Sequence, residues 1–350
     1  MTTMEAAVGQ LPVEIGSVRL AGLSLGTRAG WTRRTTVVCL AGGGVGGSGE
    51  DVTYDAAAHA AWQSLGAPSS LQGRYTLAEF SHRLDALDLR DPPGTDAARP
   101  LFRRWAFESA ALDLALRQAG RSLADCLGRS ARPLNFVVSL GLGDPPSTRP
   151  ITELRAANPG LRFKVDLSAA WTEAFIAELA ELNCVDVVDL KGLYRGAFQG
   201  PPANVQQYRW IAERLPDCWL EDPELNDATR ATLEPHMDRL TWDANQHAVA
   251  DLLQLEREPR CINVKPSRYG FLAELLRLYA HCEARGIAMY AGGQFELGPG
   301  RRQIQALASL FHSAAPNDAA PREFNEGRTE GLPSSPLSSS AGAVGFGNGE

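Results

Sequence analysis

The chain has 350 residues, of which 44% are hydrophobic and 21% are charged, so it can form one large domain or two ordinary domains with buried cores. Its 34 basic and 41 acidic side chains give a net charge of −7 without a basic cluster, which excludes an obvious nucleic-acid partner. The sequence has neither a basic leader followed by an apolar segment nor a run of about eighteen apolar residues, so we expect a cytoplasmic protein without a membrane span.

The amino-terminal segment predicts a small antiparallel sheet followed by a helix. Residues 13–25 and 32–52 alternate in polarity and are joined through turn residues, which is typical of hairpin strands. The glycine run at 42–47 fits G-x-G-x-x-G, but no helix pattern follows it directly, so a dinucleotide site is not predicted. Apolar residues at helical spacing then predict a helix over 103–119 that stops at Gly120.

From residue 133 onward, short apolar runs alternate with amphipathic helical patterns, which predicts parallel β/α structure. The helices are clearest at 171–182, 203–215, 272–285 and 301–311. The predicted strands cover 134–140, 161–166, 185–190, 218–222, 239–243, 261–265 and 287–292, with a weak eighth near 315–321. Eight strands favour a closed barrel, and an open doubly wound sheet is the alternative. Residues 326–350 are rich in Gly, Ser and Pro and predict a flexible, dispensable tail.

Charged residues end five consecutive predicted strands, in the order Lys164, Asp189, Glu221, Asp243 and Lys265. The carboxyl ends of barrel strands converge on one face, so these side chains are expected to share a pocket. Three acids on three successive strands suit a magnesium ion, which prefers oxygen ligands. The second and sixth strands lie on opposite sides of an eight-stranded ring, so the two lysines are expected to face each other.

This order of charged residues, with the sequence motifs around them, resembles that of the enolase superfamily and, within it, of the muconate lactonizing enzyme subgroup. RFKVD resembles the lysine-x-lysine element after the second strand, with Arg162 and Lys164 in its two places. WLEDP is similar to the Glu-x-Pro element that carries the metal ligand Glu221, and INVKPSRYG to the element that carries the catalytic Lys265. GIAMYAGGQFELGPG resembles the seventh-strand region of succinylbenzoate synthases and N-acylamino acid racemases.

The resemblance implies a fold and a division of the chain. It implies an α/β protein with a (β/α)7β TIM-like barrel at 133–325 and an α+β capping domain at 1–132, followed by the tail. Loops near 24–34 and 50–56 would determine specificity. Substrate contacts would come from residues of the strand ends and of these loops, namely Arg162, Lys191, Tyr54, Ser267, Gln294 and Glu296.

The resemblance also implies a reaction. Such enzymes abstract a proton alpha to a carboxylate and stabilise the resulting enediolate with Mg²⁺, or with Mn²⁺ in its place. Asp189, Glu221 and Asp243 would hold the ion, and Lys164 and Lys265 would be the acid/base pair. The outcome would be racemisation or epimerisation, syn-dehydration as in o-succinylbenzoate synthase, or cycloisomerisation of a small carboxylate. A homo-oligomer is expected.

Three positions depart from the family pattern. The third-strand acid is followed by Leu-Lys where the family has Asp-x-Asn, so Lys191 stands beside the predicted metal. Ala244 replaces the usual Glu after the fifth-strand acid, and Phe271 replaces a glycine after the sixth strand. Lys191 supports an alternative hypothesis, in which a metal-free or non-catalytic barrel binds a small carboxylate through this lysine.

Overall fold

The computed structural model describes residues 2–27, 30–90, 98–195, 199–326 and 328–347. The helices in these residues are α1 (Thr3–Gly9), α2 (Ala56–Leu65), α3 (Leu77–Leu84), α4 (Arg99–Gln118), α5 (Leu123–Leu127), α6 (Arg149–Ala157), α7 (Glu173–Glu181), α8 (Val205–Arg214), α9 (Asp227–Leu233), α10 (Val249–Leu253), α11 (Pro266–Tyr269), α12 (Leu272–Arg285) and α13 (Pro299–Phe311). The strands are β1 (Pro12–Ile15), β2 (Ser17–Gly26), β3 (Thr32–Gly42), β4 (Val45–Asp51), β5 (Gly73–Thr76), β6 (Val137–Gly141), β7 (Arg162–Asp166), β8 (Val185–Asp189), β9 (Trp219–Glu221), β10 (Leu240–Thr241), β11 (Cys261–Val264) and β12 (Ala288–Ala291). Within the described ranges, no helix combines the length and the apolar character that crossing a bilayer requires.

The amino-terminal part is an antiparallel sheet packed on one long helix. Strands β2, β3 and β4 form a meander, and β1 pairs with β5. Helix α4 lies across β4 so closely that a Cβ atom at Gly47 would be 2.3 Å from the Leu114 backbone nitrogen. The glycine run therefore allows close packing between a strand and a helix, and the predicted hairpin and helix are confirmed.

The carboxyl-terminal part is a closed parallel barrel. Strands β6 to β10 form a parallel sheet in chain order, and β11 pairs with β12. A hydrogen bond from Asn263 N to Trp242 O (3.1 Å) joins the two groups of strands. Bonds from Asp318 N to Ala291 O and from Val137 N to Asn317 O, both 2.8 Å, close the ring. The predicted (β/α)7β class is confirmed, and the open sheet is excluded.

Asn317 explains why the eighth strand is weak in the sequence. This buried residue replaces part of a backbone ladder with its side chain: Oδ1 accepts from Ala291 N at 2.7 Å, and Nδ2 donates to Asn135 O at 2.9 Å. His312 Nδ1 also lies 2.7 Å from Asn317 Oδ1. One amide thus connects the first and seventh barrel strands, so no long apolar run is needed there.

A group of buried charges joins the two parts of the chain. We call it the interface cluster, and its members are Arg33, Glu50, Asp51, Arg103, Arg104 and Glu108. It contains three cations and three carboxylates. The guanidinium of Arg33 illustrates the bonding, since within the described residues it donates to backbone carbonyls, among them Thr53 O at 2.7 Å and Gln294 O at 2.8 Å.

Two glutamates of the interface cluster bind the amino-terminal ends of barrel helices. Glu50 accepts hydrogen bonds from the backbone N–H groups of Leu297, Gly298 and Gly300, at 2.7, 2.9 and 3.0 Å, where α13 begins. Glu108 accepts from Leu272 N at 2.7 Å, at the start of α12. Because these N–H groups have no partner within their helices, the capping domain supplies acceptors that the barrel lacks.

The segment predicted as a flexible tail is packed against the rest of the chain. Leu337 pairs with Leu134 next to the first barrel strand, and Gly345 N donates to Arg121 O at 2.9 Å. Phe346 is fully buried, with its ring 6.3 Å from that of Trp105. The segment has no periodic apolar face, because its few apolar residues enter separate sites on the two parts of the protein.

Candidate active site

The five charged strand-end residues predicted from the sequence lie together inside the barrel mouth. Lys164 is in β7, Asp189 ends β8 and Glu221 ends β9, while Asp243 lies two residues after β10 and Lys265 directly follows β11. All five are at most 5% exposed. The parallel register places Asp189 opposite Glu221, so the strands themselves position these carboxylates.

An ammonium group contacts each of the three acids. Lys164 Nζ lies 2.5 Å from Glu221 Oε1, and Lys265 Nζ lies 2.6 Å from Asp243 Oδ2. Lys191 Nζ lies 2.5 Å from Asp189 Oδ2. The position at which the sequence departs from the family pattern is therefore part of the same group of charges.

Four further charged residues complete this group. Asp166 lies 3.2 Å from Lys191, Asp318 lies 3.7 Å from Lys164, and Arg268 Nε lies 3.2 Å from Asp243. We call the whole set the mouth cluster, and its members are Lys164, Asp166, Asp189, Lys191, Glu221, Asp222, Asp243, Lys265, Arg268 and Asp318. Among the residues that the structure describes, six carboxylates thus face four cations, which leaves two negative charges without a partner charge.

Burial and repulsion act together on the central carboxylates. Burial, together with the negative charges of Asp189 and Asp243, raises the pKa of Glu221 to about 7 against the attraction of Lys164. Burial also holds the pKa of Asp222 well above its usual value, as do the neighbouring carboxylates. Without a further cation, protons would relieve the excess of negative charge.

The two lysines nearest to the acids keep their protons in this arrangement. Burial lowers the pKa of Lys164, but Glu221 and Asp189 outweigh it, so the net pKa lies well above the usual value. The pKa of Lys191 is likewise raised well above its usual range, because the carboxylates of Asp166 and Asp189 outweigh burial. Both side chains are therefore ammonium groups at neutral pH.

The donor chemistry of the mouth cluster fits a divalent metal ion. Oxygens of Asp189, Glu221 and Asp222 lie within 4.8 Å of one another, and all three residues are fully buried. Carboxylates of this kind suit Mg²⁺ or Mn²⁺, and a double positive charge would balance the excess of two negative charges. Asp243, the third ligand predicted from the sequence, lies outside this close group, although its Oδ1 accepts no hydrogen bond from the described residues.

Asp222, a second charge at the end of the fourth predicted strand, belongs to the site, although the sequence assigned it no role of its own. Its Oδ1 accepts from Asp243 N at 2.8 Å and its Oδ2 from Ala244 N at 2.9 Å, so it fixes the backbone at the end of β10. Its φ of 49° is a left-handed conformation that is unusual for a residue other than glycine. In the sequence, the adjacent pair Glu221-Asp222 in WLEDP already indicates a second carboxylate at this strand end.

Lys265 is held in a narrow space beside the seventh strand. A Cβ atom at Gly292 would lie 2.6 Å from Lys265 Cε, so only glycine leaves room for the lysine chain. Asn263 Nδ2 and Tyr290 OH both donate to Glu221, which fixes the carboxylate between the two lysines. Since β7 and β11 occupy the second and sixth positions of the ring, Lys164 and Lys265 approach the mouth from opposite sides.

Tyr194 and Arg268 also belong to the site and were not predicted. Tyr194 OH donates to Asp243 Oδ2 at 2.9 Å, and Arg268 donates to Tyr194 OH at 3.2 Å. Burial opposes a low pKa for Asp243, but Arg268 and Lys265 hold it below its usual value. Arg268 lies in α11, which begins directly after Lys265, and its backbone N–H donates to Lys265 O at 2.9 Å, so this turn brings both side chains to Asp243.

Arg162, predicted to contact substrate, lies at the other end of the barrel. It is the first residue of β7, and its guanidinium binds Asp186 Oδ1 at 2.6 Å. It lines a cavity with Trp219 and Asp217, at the amino-terminal ends of the strands. The prediction for Arg162 is therefore corrected, because a two-residue step down the strand moves the side chain away from the mouth.

Of the other residues predicted to contact substrate, Tyr54 and Gln294 lie beside the mouth cluster, and Glu296 and Ser267 are buried. Tyr54 is half exposed, and the Gln294 amide lies between Tyr54 OH (3.2 Å) and Arg268 Nε (2.9 Å), beside the mouth cluster. Glu296 is buried and forms an ion pair with Arg301 at 3.2 Å, so its carboxylate has a structural partner. Ser267 is buried in α11.

Comparison with known families and structures agrees with this geometry. The family described as domain of unknown function DUF8230 matches with its amino-terminal domain over residues 6–126 and its carboxyl-terminal domain over residues 130–326. An N-succinylamino acid racemase of Thermus thermophilus is 27% identical over 310 residues, which cover 83% of this chain and 79% of the relative.

Two solved structures have the same fold. A dipeptide epimerase from Methylococcus capsulatus in complex with a magnesium ion is 20% identical with a TM-score of 0.68, and the match covers 90% of this chain and 92% of that one. An enolase-superfamily member from Listeria innocua is 18% identical with a TM-score of 0.63, covering 89% and 86%. The chain therefore belongs to the family described as domain of unknown function DUF8230, and it has the fold of the enolase superfamily.

Proposed function

We propose that this enzyme removes the proton alpha to the carboxylate of a small substrate and uses a divalent metal ion, Mg²⁺ or Mn²⁺. Asp189, Glu221 and Asp243 would hold the ion, and Lys164 and Lys265 would transfer the proton. The observation that carries the proposal is the convergence of three buried carboxylates between two lysines that approach from opposite sides. The racemase relative and the magnesium-bound epimerase support it.

The assignment of Asp243 as third ligand follows from the hydrogen bonds around it. Both oxygens of Asp222 accept backbone N–H groups, so Asp222 is already committed to holding Asp243 in position. Asp243 Oδ1 forms an ion pair with Arg268 Nε at 3.2 Å but accepts no aligned hydrogen bond from the described residues, so it keeps a lone pair to offer. We therefore assign a positioning role to Asp222 and a ligand role to Asp243.

The protein residues have complementary tasks in the reaction. A divalent ion, when bound, supplies Lewis-acid stabilisation of the negative charge that develops on the substrate carboxylate. Competition from a bound cation for Glu221 and Asp189 would lower the pKa of Lys164, which these carboxylates otherwise hold in the ammonium form. One lysine would then take the α-proton, and the opposite lysine would return a proton to the other face of the planar enediolate. Tyr290 and Asn263 keep the Glu221 carboxylate between the lysines through their hydrogen bonds.

One lysine on each face of the substrate α-carbon favours racemisation or epimerisation. A substrate with a leaving group on the β-carbon would instead undergo syn-dehydration, and a suitable unsaturated substrate would cycloisomerise. Binding of a free carboxylate through Lys191 is less well supported, because its ammonium group is already paired with Asp189 and Asp166.

The test is exchange of the substrate α-proton for deuterium. The purified protein, with Mg²⁺, would be incubated in deuterated water with N-acylamino acids, dipeptides and sugar acids of both configurations. We expect deuterium at the α-carbon of at least one compound, measured by proton NMR and mass spectrometry. No exchange with any compound, from a folded protein with bound metal, would contradict the proposal.

Two lysine variants show whether each face has its own base. Lys164→Ala and Lys265→Ala should each lose racemisation by at least about 10³-fold, within the range of general acid–base catalysis. Each should keep α-proton exchange with one enantiomer only, and the two variants should differ in which one. Exchange of the same enantiomer by both variants would refute the two-base arrangement, with circular dichroism as the check on folding.

A further inference from the structure

Lys191 uses two of its donors on the same carboxylate. Its backbone N–H donates to Asp189 Oδ1 at 2.9 Å, and its ammonium group donates to Asp189 Oδ2 at 2.5 Å. Both oxygens of Asp189 are therefore bound by one residue. The side chain of Lys191 is only 14% exposed, so water competes little for this contact.

The backbone of Lys191 is fixed more firmly than its side chain. Its φ of 55° is left-handed, and hydrogen bonds on both sides hold the turn: Gly192 N donates to Asp222 O at 2.8 Å, and Tyr194 N donates to Lys191 O at 3.3 Å. A strained conformation persists only where surrounding contacts determine it. The four-carbon side chain, in contrast, has rotatable bonds that can carry the ammonium group between neighbouring acceptors.

A second acceptor for the ammonium group is already in place. Asp166 Oδ1 lies 3.2 Å from Lys191 Nζ, and this oxygen is buried and accepts no hydrogen bond from the described residues, so it is open to the ammonium group. The ring of Tyr194 lies 4.8 Å from Lys191 Nζ and adds a cation–π contact. The ammonium group can thus leave Asp189 without losing all of its partners.

We propose that Lys191 is a tethered cation that competes with the divalent metal ion for Asp189, and that Asp166 holds the ammonium group when the ion is bound. This inference rests on the proposed function only in that the mouth cluster takes up a metal. An ammonium group at 2.5 Å from Asp189 repels an incoming cation and occupies a lone pair that the ion needs. The consequence is weaker metal binding than three buried carboxylates would otherwise give, and binding that depends on Asp166.

Calorimetric titration of the full chain with Mg²⁺ and with Mn²⁺ tests both parts. Lys191→Met, which keeps a similar length without the charge, should lower the metal Kd at least tenfold. Asp166→Asn should raise the Kd at least threefold, because the displaced ammonium group loses its charged partner. In the double variant the Asp166→Asn change should have no further effect, within twofold of Lys191→Met.

A matched control removes a neighbouring cation outside the cluster. Arg195 lies on the same loop, is 55% exposed on its side chain and pairs with Glu224. Arg195→Met changes the net charge by the same amount and should leave the metal Kd within twofold of the wild type. If Lys191→Met lost its thermal transition, Lys191→Gln would provide the second variant.

Several outcomes would overturn the inference. An unchanged or higher Kd for Lys191→Met and Lys191→Gln rejects the competition, and so does the absence of metal binding in every variant. An Asp166→Asn effect that persists in the Lys191→Met background rejects the role of Asp166. A wild type that binds metal but exchanges no α-proton contradicts the proposed reaction and leaves the role of Lys191 standing.

Discussion

The interface cluster and the mouth cluster are both buried groups of charges, but they are compensated differently. The buried members of the interface cluster are three cations and three carboxylates, and Arg104 also pairs with the half-exposed Asp85 at 2.6 Å. Its charged groups bind many backbone groups, such as the N–H groups that donate to Glu50 and the carbonyls that accept from Arg33. The mouth cluster has six carboxylates and four cations, which contact one another mainly through side chains.

The difference separates a structural from a functional use of buried charge. Bonds to the backbone connect a charge to the position of a helix or a loop, so removing the charge should loosen the fold. Ammonium groups on flexible side chains that face surplus carboxylates can change partners when a cation or a substrate arrives. Burial alone, therefore, does not identify a catalytic charge, whereas incomplete compensation at the strand ends does.

The largest effect on stability is expected from Glu50→Ala. This change leaves the N–H groups of Leu297, Gly298 and Gly300 without their acceptor at the start of α13. Unfolding in urea should show a loss of about 4 kcal/mol, since each unsatisfied buried donor costs about 1–3 kcal/mol. Glu50→Gln keeps an acceptor oxygen and should lose less. An unchanged urea midpoint for Glu50→Ala would show that this carboxylate does not stabilise the fold.

A pH dependence should distinguish the mouth cluster. The folded-state pKa of Glu221 is raised from 4.5 to about 7, so the folded protein binds this proton more tightly than the unfolded chain. Without metal, Glu221 favours folding below pH 4.5, and this contribution is lost between pH 4.5 and about 7, by up to about 3 kcal/mol.

Urea unfolding with a chelator, across pH 4.5 to 8, measures this contribution against Glu221→Gln, which stays neutral. The variant should gain stability relative to the wild type as the pH rises. Mn²⁺ or Mg²⁺ should stabilise the wild type most at high pH, where the carboxylate is ionised. A stability difference that does not vary with pH would show that Glu221 is ionised throughout.

The smallest effect is expected from Arg162→Gln. Arg162 forms a partly exposed ion pair with Asp186, at 2.6 Å, at the end of the barrel remote from the mouth. Exposed pairs contribute about 0–1 kcal/mol, so both the unfolding free energy and the exchange rate should change little, the latter by less than about twofold. A tenfold rise in KM would instead restore the substrate contact predicted from the sequence.

The sequence was sufficient to predict the barrel and the location of the candidate site. Apolar runs that alternate with helical patterns reflect local burial. A charged residue at the carboxyl end of such a run lies at the mouth of the barrel, because the strand ends converge there. The sequence therefore predicts a shared pocket for Lys164, Asp189, Glu221, Asp243 and Lys265, and the structure brings all five together.

The sequence was not sufficient where a role depends on a residue distant in the chain. The Asp222 carboxylate accepts a hydrogen bond from the backbone N–H of Asp243, which follows β10. The Tyr194 hydroxyl donates to Asp243, which lies 49 residues further along the chain. The tail shows the same limit, since Leu337 and Phe346 fill sites on two different parts of the protein. No local pattern records such pairings.

The sequence by itself therefore determined which strands end in charges, because strand periodicity and burial are local properties. The tertiary structure alone decided which charges become partners. Lys191 follows Asp189 by two residues, yet its second partner, Asp166, comes from the neighbouring strand. Since electrostatic energy depends on distance and burial in space, the balance of the mouth cluster exists only once the ring has closed.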